Sequence, residues 1–411
     1  MAEPLLHAFA KPTKTDFIRI VRGSGALLWD DKGNEYIDAI GSLWYSQVGH
    51  GNAEIAEAVA EQIRTLETYS IFDPFTNEMA EQLATKLVSL SPLPDSRVFL
   101  CGSGSEAIDT AMKLARVAHV QSGHPEKTII ISRNRGYHGT NYGGTSAQGL
   151  PLNKIGYGQL LPEVVQVDSD NIEDLATFMK DNGTRVAAII TEPLQGAGGV
   201  YPPADGYLEG ARKLCDQYGA LLIFDEVITG FGRLGTWFAA NYYNVVPDLL
   251  CFAKGVTSGY QPLGGVFVGR TALNALERDP DFFLRHGYTY SGHPVACAAA
   301  IATLDLMKEE NLFARAGQQG RVLGDAMHSA LKGLPNVIGI RTLGLAGAVE
   351  LASIPGTPGK RAYDIFMDCF HHGVWVRPAG ENIVICPPYI VEGAHIDQIV
   401  QTVADSIRRH A

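Results

Sequence analysis

The chain alternates between two hydrophobic rhythms. From Arg97 to Gly269 it carries short unbroken apolar runs: Val98-Phe99-Leu100, Ile129-Ile130-Ile131, Val186 to Ile190, Leu221 to Phe224, Leu249 to Ala253 and Val266-Phe267-Val268. Runs this short, without polar alternation, suit strands covered on both faces, as in a parallel sheet. Between them, Ala107 to Val120 and Gly206 to Tyr218 have helical spacing, which predicts right-handed βαβ units. Earlier in the chain, Ala26 to Asp38 reads as a hairpin turning at Lys32-Gly33-Asn34. Ala53 to Leu66 and Asn77 to Leu90 read as helices flanking an aromatic loop at Tyr69 to Phe75. A long helix is expected from Val295 to Glu309, and from there to Ala411 an α+β pattern of helix, strand, a loop at Gly344 and Gly347, helix, strand pair and helix. Met1 to about Ile20 and Leu150 to Val165 look irregular. These patterns predict an α/β fold with a large domain over 53–300. A small α+β domain is expected from both ends of the chain, 1–52 (which includes an N-terminal arm) and 301–411.

Acids and amines sit where the apolar runs stop. Asp225 and Glu226 end one run, Lys254 ends the next, and Glu192 follows Ile189-Ile190-Thr191. In open α/β sheets ligands collect beyond the carboxyl ends of strands, so Asp225 and Lys254 would reach one rim. A carboxylate and an amine placed this way suit pyridoxal 5'-phosphate (PLP): the lysine holds the cofactor as a Schiff base, and the acid keeps the ring nitrogen protonated. Taken singly, Asp225 could be a helix cap and Lys254 a surface amine. Gly230 to Gly235 spells the G-x-G-x-x-G dinucleotide pattern. That pattern should follow its strand directly and open a helix, and Glu226 to Thr229 intervene, which argues against a nicotinamide site.

Gly102-Ser103-Gly104-Ser105-Glu106-Ala107 leads from a strand into a helix, a place where backbone amides and the helix dipole favour an anion. With Leu221 to Gly235 and Phe252-Ala253-Lys254-Gly255, this stretch resembles the class III, or omega, aminotransferases, and nearly the whole chain fits. The resemblance implies PLP fold type I, the aspartate-aminotransferase fold, with a mostly parallel seven-stranded sheet and a small α+β domain. It implies Lys254 as the Schiff-base lysine and Asp225 as the pyridine-nitrogen acid. Val227 would lie against one ring face and Tyr137 would stack on the other. His138 is counted among the cofactor-binding residues without a proton-transfer role. Ser103, Gly104 and Ser105 would cup the phosphate, and Glu192 would neutralise a mobile arginine. Thr289 would bind the phosphate of a neighbouring subunit, so each site of a homodimer would need two chains, with a tetramer left open. Trp44 and Phe72 would wall the substrate pocket.

The implied activity is ping-pong transfer of an amino group from a primary amine or omega-amino acid to a keto acid, with pyruvate as the expected acceptor. Ile228 stands where relatives acting on GABA or ornithine usually carry glutamine, which argues against those donors. Beta-alanine, taurine, putrescine and aryl-alkyl amines stay open. An aminomutase, an amine racemase or a non-catalytic PLP-binding protein are the alternatives, the last disfavoured by the intact Lys254. Arg377 resembles the family's switching arginine, expected on a loop between Trp375 and Glu381. A fixed guanidinium would be left unpaired by a carboxylate-free amine.

Composition narrows the partners. The 411 residues are 46% hydrophobic and 19% charged with a formal charge of -11, which argues against nucleic acid and anionic membrane. The six cysteines, Cys101, Cys215, Cys251, Cys297, Cys369 and Cys386, lack CxxC spacing and read as reduced core residues, not as metal ligands. No secretory signal or membrane-length apolar run stands out, and a cytoplasmic location is expected.

Overall fold

The computed structural model describes residues 4–411. Seven strands form the central sheet, side by side in the order Arg97–Cys101, Gly264–Val268, Leu249–Phe252, Leu221–Asp225, Val186–Thr191, Ile129–Arg133 and Val164–Val167. Only Gly264–Val268 runs against its neighbours, pairing antiparallel on both sides. Every residue of Val186–Thr191, Leu221–Asp225 and Leu249–Phe252 is buried, as unbroken apolar runs demand of central strands. This is the α/β, mostly parallel architecture of fold type I.

Helices cover the sheet, and their starts follow local chemistry. Asn52, Asn77 and Ser103 each accept a backbone N–H of the first turn, opening the helices Ala53–Thr65, Glu78–Leu90 and Gly104–Gln121. Pro294 begins Pro294–Glu309, where a missing N–H costs nothing. Gly219, at φ 63°, ends Tyr207–Tyr218 just before the central Leu221–Asp225 strand.

Two smaller sheets lie beside the large one. Ile20–Ser24, Leu27–Asp30 and Glu35–Asp38 form an antiparallel meander, and Glu35–Asp38 pairs in parallel with Val374–Trp375 from the other end of the chain. The second sheet has the order Val337–Thr342, Gly347–Leu351, Asn382–Ile385 and Arg377–Ala379. All six cysteines are buried and unpaired. Among the described residues no helix is long and apolar enough to cross a membrane.

The structure differs from the sequence reading at several points, among them Gly347, which opens the strand Gly347–Leu351 rather than lying in a loop, because Gly347–Leu351 pairs on both sides with Val337–Thr342 and Asn382–Ile385. The strand Ile20–Ser24 begins where the expected irregular stretch ends. The helix expected from Ala107 begins at Gly104, because the Ser103 side chain supplies the cap. The expected loop from Leu150 to Val165 holds a short 3-10 turn, Pro151–Lys154, and its end enters the edge strand Val164–Val167. Arg377 lies on a strand rather than on a loop. Pro378 cannot donate to a ladder, but an edge strand tolerates it.

Candidate active site

Three neighbouring parallel strands deliver Glu192, Asp225 and Lys254 to one rim. Asp225 closes its strand and is paired with Cys251, Glu192 follows Thr191, and Lys254 stands just beyond Phe252. At Lys254 the backbone turns with φ 48°, a conformation uncommon for a residue with a side chain, and begins a single 3-10 turn. Burial pulls the Lys254 amine down from the ordinary lysine value to about 8. The Asp225 and Glu192 carboxylates oppose that shift, while Arg377 adds to it.

Asp225 is held on both oxygens. One lies 2.9 Å from Nδ1 of His138, and the other accepts the Val227 N–H at 3.1 Å. His138 is 1% exposed, and its Nε2 is buried without a partner. With Asp225 accepting at Nδ1, the ring must donate there, so the imidazole orients the carboxylate. The adjacent acid, Glu226, is spent on structure: it accepts from the Ala239 and Ala240 N–H groups and from the Thr229 hydroxyl. Burial pushes its carboxyl up to about 7. Of the Asp225-Glu226 pair, only Asp225 remains for the site.

Glu192 is 4% exposed and accepts the N–H groups of Tyr137, at 2.8 Å, and Gly196, at 3.2 Å. Burial raises its carboxyl to about 7, with nearby His138 opposing and Asp225 reinforcing the rise. Behind it lies a residue the sequence did not single out. Arg133 is 1% exposed and donates to the Thr191 hydroxyl and to the backbone carbonyls of Glu192 and Ser169, with its guanidinium over the Tyr207 ring. It fixes the strand end that carries Glu192. Its only signal in the sequence is a charge closing the run Ile129-Ile130-Ile131-Ser132 at the level of the other strand-end residues.

The Gly102–Ala107 turn meets the same rim. The Ser103 hydroxyl accepts the Glu106 N–H, and the Glu106 carboxylate accepts the Gly102 N–H in return, leaving other first-turn amides of an eighteen-residue helix without helical partners. Ser105 Oγ accepts the Thr140 N–H at 3.0 Å. A β-carbon at Gly104 would sit 3.0 Å from both methyls of Val227, so this turn packs directly on the segment after Asp225. The set fits PLP: an amine for its aldehyde, a carboxylate for its ring nitrogen, a helix N-terminus for its phosphate, and Val227 and Tyr137 beside them.

Trp44 and Ile228 belong to one buried apolar cluster with Leu194, Leu234, Val384 and Cys386. A β-carbon at Gly196 would approach Ile228 to 2.7 Å and Trp44 to 3.6 Å, so both pack on the turn that follows Glu192. Arg377 pairs along its strand with Val384, and Gly380, at φ 58°, makes the hairpin turn. Its guanidinium has no hydrogen-bond or ion-pair partner among the described residues. Burial holds it below the usual arginine value, with the Tyr137 phenol pulling the other way. Phe72 and Thr289 do not join this group. Both are exposed, a β-carbon at Gly287 would touch the Phe72 ring, and the neighbouring Tyr288 hydroxyl donates to the Glu106 carbonyl.

The family model for aminotransferase class-III matches residues 8–407. The chain belongs to the class-III aminotransferases. It is 39% identical to an omega-aminotransferase of Caulobacter vibrioides over 403 residues, covering 92% of this chain and 91% of the relative. It is 38% identical to a beta-alanine–pyruvate aminotransferase of Pseudomonas aeruginosa over 410 residues, covering 94% and 91%. A transaminase structure from the marine bacterium Virgibacillus superposes with a TM-score of 0.95 at 35% identity, covering 99% of this chain and 97% of that one. Class-III aminotransferases depend on PLP, and this one is an enzyme that moves an amino group from a small-molecule amine donor to a keto acid acceptor.

Proposed function

We propose that the donor is a primary amine or omega-amino acid and that the acceptor is pyruvate. The observation that carries this reading is Arg377: a half-buried guanidinium without a hydrogen-bond or ion-pair partner among the described residues, within electrostatic reach of Tyr137 and Lys254. The apolar Trp44–Ile228 cluster packs on the turn that follows Glu192. Such a site offers one anchor for a carboxylate and apolar surface for a donor that lacks one, in keeping with the two relatives' names.

In this reading Asp225, oriented by His138, would hold the cofactor's ring nitrogen, the Ser103–Ser105 turn would hold its phosphate, and Val227 and Tyr137 would pack against the ring. PLP supplies an electron sink for negative charge on the carbon bonded to the amine nitrogen. Lys254 moves the proton at that carbon, and burial keeps its amine close enough to neutral to accept it near pH 8. Glu192 offers Arg377 a counter-charge when no substrate carboxylate is present. Because Arg377 sits on a paired strand, its movement is one of side-chain rotamers rather than of a loop.

The exposed Phe72 and Thr289 are read as gifts to a second copy, with Thr289 closing the partner's phosphate site in a homodimer. Residues 1–52 and 301–411 form the small domain and 53–300 the large one, and the enzyme works in the cytoplasm. Mixed dimers of Lys254→Ala and Thr289→Ala chains test the sharing. One site that binds PLP normally supports it, and weakened retention in the lysine-bearing site contradicts it.

A donor panel of beta-alanine, taurine, putrescine and an aryl-alkyl amine, each with pyruvate, tests the substrate reading through alanine formation. Turnover of a single amine with no keto acid added would point instead to an aminomutase or racemase. Arg377→Ala is expected to weaken pyruvate and beta-alanine about 10²-fold relative to a carboxylate-free amine, the loss of one charged anchor. Equal loss for all three would leave Arg377 a structural residue.

A further inference from the structure

The segment that carries Trp44 is held in an unusual shape by a side chain outside the catalytic rim. Gly41, Ser42 and Trp44 have φ of 57°, 57° and 67°, and Ser42 combines its positive φ with ψ -83°, a γ-turn geometry that residues with side chains rarely adopt. The Asp38 carboxylate, 0% exposed, stands over this bend. It accepts the Ser42 N–H at 2.7 and 2.9 Å and pairs with His50 Nε2 at 2.8 Å. Asp38 and His50 therefore close the loop between them like a clasp.

The closed loop touches two parts of the site. On one side, Trp44 packs beside Gly196 and Ile228. On the other, the Val48 N–H donates to Ser258 Oγ, and the Gln47 amide would lie 2.9 Å from a β-carbon at Gly255, next to Lys254. The Ala39 carbonyl accepts from Cys386 N–H and the Gln47 carbonyl from Tyr389 N–H, so both shoulders of the loop are pinned to the C-terminal region; between them, Trp44 N–H donates to the Ile40 carbonyl, Tyr45 N–H to the Gly41 carbonyl, and Asp38 holds the Ser42 N–H at the strained point. A neutral hydroxyl or amide would offer the Ser42 N–H less than a buried carboxylate does, and the bend would relax.

We propose that Asp38, braced by His50, is a positioning residue that sets donor selectivity by holding Trp44 against Ile228. The inference rests on the reading of Trp44 as a pocket wall. It concerns the shape of the pocket and assigns Asp38 no contact with substrate.

The test compares the holoenzyme with Trp44→Ala, Asp38→Ala, Asp38→Asn and the Asp38→Ala/Trp44→Ala pair. The readout is the ratio of kcat/KM for a bulky aryl-alkyl amine to that for beta-alanine. Trp44→Ala and Asp38→Ala should each raise that ratio about tenfold, the scale of a few methylenes of pocket space, and the double variant should raise it no further than Trp44→Ala alone. In cofactor-free protein, the Trp44 emission, isolated as a difference against Trp44→Phe, should shift to the red and become quenchable in Asp38→Ala. Should Asp38→Ala not fold, Ser42→Gly in the Asp38→Asn background should bring the ratio back toward that of the parent, since glycine adopts the bend freely. If Trp44→Ala shifts the ratio and the Asp38 variants leave both ratio and emission unchanged, Asp38 serves stability alone and the inference falls. If Trp44→Ala itself leaves the ratio unchanged, the pocket-wall reading has failed and takes the inference with it. A Ser42→Gly change that restores nothing would also overturn it.

Discussion

The Gly102–Ala107 turn follows its strand without an intervening residue and opens an eighteen-residue helix. The Gly230–Gly235 turn is set off from its strand by Glu226 to Thr229, and no helix begins until Ala239. In the first, glycine provides room: Gly104 has an ordinary φ, and its missing β-carbon lets Val227 approach. In the second, glycine provides conformation, with φ of 109° at Gly232 and 85° at Gly235. Between those two lies Arg233, fully buried, donating to the Leu345 and Pro387 carbonyls over the Tyr389 ring, while Leu345 N–H donates back to the Arg233 carbonyl. The turn with the dinucleotide spelling is thus a fastener between the large sheet and the C-terminal region. The plainer turn has the geometry for a phosphate. Distance from the strand end decides between them, because only a helix that starts there aims its free amides at the rim.

Attachment, stability and binding can be separated experimentally. The largest effect is expected from Lys254→Ala, which should cut turnover by roughly 10⁴-fold, the upper range for a positioned proton-transfer group. Bound PLP should remain if, as proposed, the Gly102–Ala107 turn holds its phosphate independently. Equilibrium dialysis checks this, and complete loss of binding would mean that the turn contributes little. Gly232→Ala should lower the stability of the cofactor-free protein by about 3 kcal/mol, since a β-carbon there collides with the Phe313 ring in a strained backbone. Its PLP affinity should be unchanged, and a selective loss of affinity would return this turn to the cofactor site.

A pH series sharpens the picture of the rim. The Lys254 amine is depressed from 10.5 to about 8, so in the folded protein its charge is unfavourable below pH 8, and the cost fades as pH rises toward the unfolded value. Cofactor-free protein should gain about 2 kcal/mol relative to Lys254→Met between pH 7.5 and 9.5. Glu226 is common to both proteins and cancels in that difference, and Glu192, which acts on the Lys254 amine, titrates at about 7, mainly below this window. A flat difference would show that Lys254 is not buried. The smallest effect belongs to Gly104→Val, which should weaken PLP about tenfold by displacing Val227 and leave thermal stability nearly unchanged.

Much of this organisation was readable from the chain alone, and the reasons are local. Leu221 to Phe224 and Leu249 to Phe252 admit few structures other than buried strands, so Asp225 and Lys254 had to appear together at their ends. Glu192 followed by the same rule. What the pattern could not convey is pairing between distant residues: Arg133 under Glu192, Arg233 beneath Leu345, and Asp38 with His50. A charge inside an apolar context is visible in a sequence, but its partner is not. Arg377 looked like loop because Gly380 permits bending just after it, and only the sheet order reveals an edge strand. Phe72 and Thr289 are exposed, so nothing within the single chain ties them to the rim.

The central claim is that the Lys254 amine carries PLP opposite Asp225. Borohydride reduction of the purified holoenzyme, followed by peptide mapping, tests it most directly by fixing the cofactor to whichever residue bears it. The account predicts a yellow protein that loses its colour on reduction, with the label confined to the peptide containing Phe252-Ala253-Lys254-Gly255. A label on any other lysine, or none at all, would contradict it.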